Sequence, residues 1–294
     1  MEGAWGAGAN EAVHLIFEDK VSAIVGSQDG RNAHLAEQAA TRSEVVFLSA
    51  WSGDPSLSQA FVPWFFSCVP NYNQQAAVFT EEICIRRKIH RITAIVDNEF
   101  DSKSALTSFI RIIKESGNTL PEQWNLKNAG SDLSELASHL RKSKTEGLIL
   151  FTKPLTALKI TAFIRQNHLN PAIFAPLFVL DENEIPGKDY KLFENVVFLS
   201  SEHWSGNKAR PFRDEFREKY GYEPGNVAAY AFDATQVLIE AIRKGGTGRE
   251  KIQKALAEIS FRGVTGMFQF DGKGNRVGDI SLVQIKNGNP VKIE

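Results

Sequence analysis

Cysteine and methionine are scarce, with two of each in 294 residues. Cys68 and Cys84 cannot build a disulfide framework; two buried thiols are favoured over one bridge, which stays open in an oxidising compartment. No run of about twenty apolar residues occurs, so nothing reads as a bilayer-spanning helix. Excess charge is missing too: 34 basic against 35 acidic residues leave a formal net charge of −1 and a pI near 6.6. That balance gives no electrostatic reason to expect nucleic acid or an anionic membrane surface as partner. The opening stretch, MEGAWGAGANEAVHLIFEDK, lacks the basic region and continuous apolar core of a secretory signal. The expectation is either a cytoplasmic protein or one whose export segment has been removed or not included.

Catalytic and metal signatures are absent as well. None of the six histidines (His14, His34, His90, His139, His168, His203) stands at metal-ligand spacing from another histidine or a cysteine. There is no GxSxG elbow and no GxxxxGK[ST] phosphate loop. The glycines near Gly3 have no strand before them, and those of GKGNRVG at Gly272 sit in a turn pattern where glycine serves the backbone. No catalytic residue, metal or cofactor is therefore assigned, and the expectation is a protein that is not an enzyme.

What is present is alternation. SAIVG (Ser22 to Gly26), EVVFLSA (Glu44 to Ala50), FVPWFFS (Phe61 to Ser67), RITAIVD, a short polar segment around Glu122 to Asn125, EGLILFT, AIFAPLFVL and NVVFLSS read as strands, and helical patterns separate most of them. Pro63 marks its strand as an edge or irregular one. The order predicts an α/β fold with parallel sheets and right-handed crossovers. Ser131 and Asp132 suit a helix start, and Gly117 suits a helix end. DGKGN (Asp271 to Asn275) reads as a hairpin turn between FQF and DISLVQI, and Asn287-Gly288 as a second.

The last third is the most distinctive. PFRDEFREKYGYEPGNVAAYAFDATQVLIEAIRKGG, from Pro211, gives a charged helix and then an apolar one. FRGVTGMFQFDGKGNRVGDISLVQIKNGNPV follows. That order, with the spacing of Phe216, Tyr220, Tyr230, Asp233 and Ala234, resembles the closing part of type 1 periplasmic binding proteins, in particular the branched-chain amino-acid (Leu/Ile/Val) binding proteins of ABC transporters. The resemblance implies two Rossmann-like lobes with parallel sheets joined by a three-crossing hinge around Cys68 to Tyr72, Leu199 to His203 and Gly266 to Phe268. It places residues 1–70 and 203–266 in lobe 1, and 71–202 and 267–294 in lobe 2. It implies a solute-binding component of an ABC importer, periplasmic or extracytoplasmic, holding an amino acid or related small polar ligand in the interlobe cleft and partnered by an ABC permease. A ligand-sensing or regulatory module of the same fold is the alternative.

Ligands of doubly wound sheets bind at the carboxyl ends of strands. After SAIVG, the loop offers Gln28 and Asp29 beside a helix start suited to a carboxylate, or Asp29 simply caps that helix. By the resemblance, Trp51, Ser52 and Gly53 after EVVFLSA hold the ligand's ammonium and carboxylate, although family members usually carry a hydroxyl where Gly53 stands and a serine near Gly30. Trp51 is an aromatic wall or a packed core residue. The resemblance also carries over Phe100 as the aromatic after RITAIVD, Glu182 as the acid for the ammonium, and Tyr230 as a contact from the returning first lobe. A solvated acidic loop and an amphipathic helix are the plain alternatives for the last two.

The resemblance covers nearly the whole chain but starts late, inside what looks like the helix NEAVHLIFED, without the usual strand-helix-strand. The first lobe is thus expected to be incomplete, with SAIVG and VVFLSA flanking a missing central strand and Ile24, Val25, Phe47 and Leu48 left on open edges. A homodimer filling the gap, direct pairing of the two strands, or poor solubility would follow.

Overall fold

The computed structural model describes residues 7–59, 62–126, 133–185, 187–201, 204 and 206–293. Phe61, the Ser131-Asp132 helix start and His203 lie outside them. The chain forms two compact units: Met1–Asn71 with Val227–Asp279, and Tyr72–Asn226 with Ile280–Glu294.

The first unit begins with helix α1 (Ala7–Phe17), strand β1 (Ala23–Gly26), helix α2 (Gly30–Arg42), strand β2 (Val46–Ser49) and strand β3 (Phe65–Ser67). The three strands form a parallel sheet in the order β1-β2-β3. Alternation along the strands separates two cores. Val46, Leu48 and Phe66 pack with Val237, Ala241, Ile252 and Leu256, whereas Ile24, Phe47 and Phe65 pack with Ala12, Ile16, Ala33 and Ala40. The first of these sets is completed by α8 (Asn226–Gly245) and α9 (Arg249–Ala257). Arg249 ties α9 to the early segment, donating to the carbonyls of Val21 (3.1 and 3.2 Å) and Ser43 (2.9 Å).

Strands β9 (Ser260–Gly263), β10 (Gly266–Phe270) and β11 (Arg276–Gly278) add a separate antiparallel sheet to this unit. Phe268 and Phe270 from β10 complete the core beside Val46 and Leu48.

The second unit carries α3 (Tyr72–Thr80), β4 (Ile92–Val96), α4 (Phe100–Glu115), β5 (Glu122–Asn125), α5 (Leu133–Ser143), β6 (Gly147–Phe151), α6 (Pro154–Gln166), β7 (Ala172–Ala175), β8 (Val197–Ser200) and α7 (Arg210–Tyr220). The chain returns to it as β12 (Ser281–Lys286) and β13 (Asn289–Lys292). Its sheet has seven strands in the order β13-β12-β8-β7-β6-β4-β5, parallel from β8 to β5. Every residue of β4 and β6 is buried, as strands covered on both faces require. The β12-β13 turn has positive φ at Asn287 (52°) and Gly288 (74°), which the Asn-Gly pair supplies cheaply. Gly117 lies just past α4 with φ +72°, the left-handed conformation of a helix end.

One expected outcome is met and three expectations need correction. Of the outcomes expected for the first lobe, direct pairing of SAIVG and VVFLSA is the one observed, Ala23 opposite Val46 through Gly26 opposite Ser49. Phe47 and Leu48 are consequently buried, and of the four residues expected on open edges only Val25 is exposed. AIFAPLFVL is a strand only to Ala175. Pro176, which has no N–H for a ladder, starts a 3₁₀ turn over Leu177–Leu180. The DGKGN turn joins β10 to β11 rather than to the SLVQI strand.

Finally, residues 203–226 group with the second unit and 267–279 with the first, the reverse of the expected assignment. The three crossings fall at Asn71/Tyr72, Asn226/Val227 and Asp279/Ile280. The physical reason is that β10 and β11 complete a sheet begun by β9, so the chain cannot leave at Gly266.

Candidate functional site

In the first unit the carboxyl ends of β1, β2 and β3 lie along one edge, because the strands are parallel. Ala50 N–H donates to Gly26 O at 2.7 Å and Cys68 N–H to Ser49 O at 2.8 Å, locking the three tips together. The segment Trp51-Ser52-Gly53 leaves this edge and is buried throughout. Ser49 Oγ donates to Ser52 O (3.3 Å), and Asp54 N–H donates to Ser52 Oγ (3.4 Å). The backbone N–H groups of Trp51, Ser52 and Gly53 donate to no protein group among the described residues, and neither does the Ser52 hydroxyl. Buried N–H groups without an acceptor are rare, and a run of them is suited to an anion.

The Trp51 ring faces Tyr230 of α8, centroids 5.9 Å apart at 56°. Tyr230 is 1% exposed and its hydroxyl has no hydrogen-bond partner. Burial raises its pKa, opposed by the nearby Arg276 and reinforced by Asp233, so the phenol stays protonated and a donor at neutral pH.

Behind this wall lies a buried polar network. Arg276 Nη1 donates to Cys68 O (3.0 Å), and Nη2 donates to Thr265 Oγ1 (2.9 Å) and Thr265 O (3.2 Å). The guanidinium lies 4.0 Å from the Phe268 ring centroid and 5.3 Å from that of Tyr230. Asp233 accepts from Val264 N–H (2.7 Å), Thr265 N–H (2.9 Å) and the Thr265 hydroxyl. Burial nevertheless holds its carboxyl above the usual range.

A second brace holds the loop itself. Asp54, its side chain 2% exposed, meets His34 Nε2 at 2.9 Å and accepts from Ser56 N–H (3.1 Å) and Ser56 Oγ (2.9 Å). Burial works against its charge, but the bonds from His34 and Ser56 outweigh it, so its pKa is lowered. Serine, histidine and aspartate together are the residue types of a nucleophilic triad, yet the geometry is wrong. Ser56 Oγ and Asp54 Oδ2 both lie 2.9 Å from the same ring nitrogen, Nε2, so serine and aspartate do not occupy opposite nitrogens of the ring as a proton relay requires.

Of the remaining expected residues in this unit, Gln28 is exposed in the β1 loop. Asp29 caps α2, with Oδ1 accepting from Asn32 N–H (2.9 Å) and Oδ2 from Asn32 Nδ2 (2.7 Å).

In the second unit the strand tips present Asp97 after β4, Thr152 and Lys153 after β6, Pro176 and Leu177 after β7, and Ser201 after β8. Asp97 accepts from the N–H groups of Glu99 (3.1 Å) and Lys153 (2.7 Å), fastening the β4 and β6 tips. Lys153 Nζ pairs with Glu99 at 3.1 Å. Phe100 is half-buried at the first position of α4. Glu182 is not at a strand tip: it lies beyond the 3₁₀ turn, accepting from Gly225 N–H at 3.2 Å. The residue at the β7 tip is the buried, apolar Leu177, whose N–H donates to Gln75 Oε1 (3.1 Å). The Ala-Pro pair before it was the signal available in the sequence. Nothing in the sequence marks Arg276 as a buried residue of this network.

Among the described residues no group of histidine, cysteine or carboxylate side chains is arranged to hold a metal ion. No helix there is long and apolar enough to cross a membrane. Cys68 and Cys84 are both buried and unbridged.

These features define an α/β protein whose unsatisfied donors and aromatic surface gather at strand ends. The chain belongs to the periplasmic binding protein family, whose profile matches residues 2–290. Its fold is that of the type 1 proteins. It is similar to the leucine-binding protein LivK of Thermotoga maritima MSB8, with a TM-score of 0.85 at 22% identity over 99% of this chain and 84% of that one. LivJ of Streptococcus pneumoniae, solved with isoleucine, gives 0.82 at 22% identity over 99% and 85%. A solute-binding protein of an ABC transporter from R. palustris, solved with benzoate, gives 0.82 at 18% over 99% and 81%. Proteins of this family and these neighbours are extracytoplasmic solute-binding proteins, not enzymes, and work with ABC permeases.

Proposed function

We propose that this chain is the solute-binding component of an ABC importer, active outside the cytoplasm with an ABC permease, and that it takes an amino acid or a related small polar ligand bearing a carboxylate. The observation that supports this most is the buried Trp51-Ser52-Gly53 run at the β2 tip, whose N–H groups and Ser52 hydroxyl donate to no protein group among the described residues. A carboxylate there takes charge-assisted hydrogen bonds that replace its lost hydration. The similar proteins were solved with ligands as different as isoleucine and benzoate, so the fold does not choose between them.

Thermal melting against a panel of amino acids, amides and small carboxylates tests the proposal. A ligand at a hundred times its Kd stabilises by about 2.7 kcal/mol, which shifts the midpoint by several degrees. A panel that leaves the midpoint unmoved contradicts it.

A further inference from the structure

We propose that the amino-terminal edge of the second unit's sheet docks on an anionic lipid bilayer. The chain is balanced in charge as a whole, but this edge is not. Strands β7, β6, β4 and β5 are parallel neighbours, so the connections that enter them lie side by side, about 4.8 Å from strand to strand, at the end opposite the strand tips. The connection into β4 reads RRKIHR, five of its six residues from Arg86 to Arg91 being Arg, Lys or His, and that into β6 reads RKSK from Arg141 to Lys144. Hydrogen bonds join the connections into one face. Arg91 Nε donates to Lys144 O (2.8 Å), and Glu146 accepts from the N–H groups of His90 and Arg91 (both 3.1 Å). Arg141 Nη2 donates to Asn167 O (3.2 Å), ahead of β7.

Three of these cations are answered by acids: Arg86 by Glu81, Arg87 by Glu82 and Arg91 by Glu146. Lys88, Arg141, Lys142 and Lys144 are exposed and form no ion pair among the described residues. Helix ends favour cations, which accounts for Arg141 and Lys142 in the last turn of α5. Lys88 and Lys144 stand past the helix ends at positive φ (54° and 52°), where glycine is the cheaper residue. A face of fixed cations without acids attracts anions, and lysines spread over three connections match phosphates spread over a membrane surface. Ile85, beside Arg86, and Leu120, in the connection into β5, are 54% and 48% exposed, apolar surface that a bilayer interface takes up. Nucleic acid fits less well. The exposed aromatic side chains that could stack on bases, Phe17, Tyr220, Tyr222 and Phe232, belong to other elements. This edge also presents helix ends, not a helix flank that enters a groove.

Co-sedimentation of the full chain with vesicles tests the proposal. At about 0.1 M salt, vesicles of phosphatidylglycerol and phosphatidylcholine in equal parts should bind it and vesicles of phosphatidylcholine alone should not, and about 1 M salt, which shortens screening to about 3 Å, should release it. Each lysine near an anionic bilayer is worth about fivefold in affinity. Lys88→Gln, Lys142→Gln and Lys144→Gln together should therefore weaken binding about a hundredfold. All three side chains are exposed, so the wild-type melting temperature should be kept. The same loss of charge elsewhere on this unit, Lys103→Gln, Lys208→Gln and Lys219→Gln, should leave binding within about threefold. Equal binding to both kinds of vesicle, sedimentation with neither, or equal loss in the two triple variants overturns the proposal. Tighter binding to a DNA duplex than to the anionic vesicles overturns it as well.

Discussion

At the scale of single residues, Arg276 is the most consequential side chain outside the strand tips. It is 2% exposed and spans from Cys68 O to Thr265, with aromatic rings on its flank. Arg276→Met keeps much of the volume but leaves the Cys68 carbonyl and Thr265 without their donor, and Asp233 without a neighbouring cation. The expected cost is about 3–5 kcal/mol, the range for breaking a buried charged group's partnership, read by urea denaturation. Burial also pushes the Cys68 thiol from 9.0 up to about 12, which makes it an inert core residue. The buried thiol was legible in the sequence, but the role of Arg276 was not. RVG reads as an ordinary turn-flanking strand, and the arginine's burial depends on a carbonyl 208 residues away. By contrast, Asp29 before an alanine-rich helix was legible both as a ligand residue and as a cap, and its bonds to Asn32 are those of a cap.

At the scale of elements, the loop after β2 is held by His34 of α2 through Asp54. Asp54→Asn removes a charge that His34 and Ser56 stabilise, and should cost about 1–3 kcal/mol. The sign of the pH dependence follows from the lowered pKa. An aspartate depressed in the folded state adds stability above its unfolded value of 3.8 and loses it as pH falls through the lower folded value. Melting of wild type and Asp54→Asn should therefore converge on acidification below about 4, and a gap that stays constant to pH 2 contradicts the assignment.

Strands and helices in the uniform βα stretches were legible because apolar runs and helical spacing dominate there. The DGKGN turn was legible as a turn, but its partner strand was not. Gly274, at φ +77°, packs its turn so close to the Phe65 carbonyl that a Cβ would collide with it, a long-range contact that no local pattern reveals. AIFAPLFVL misled because its apolar run continues beyond Pro176, where loss of the N–H ends the ladder although hydrophobicity persists.

At the scale of the molecule, the chain passes between its two units three times, and the sequence resemblance anticipated three passages but misplaced two of them. Composition cannot mark such points: Asn226/Val227 lies within the first turn of a regular helix. The central claim, that the chain holds one small carboxylate ligand at its strand ends, is tested most directly by native mass spectrometry after incubation with the panel of amino acids and aromatic acids. The predicted spectrum shows one ligand mass per chain that disappears in Trp51→Leu, and a protein that stays at its bare mass with every compound would contradict it.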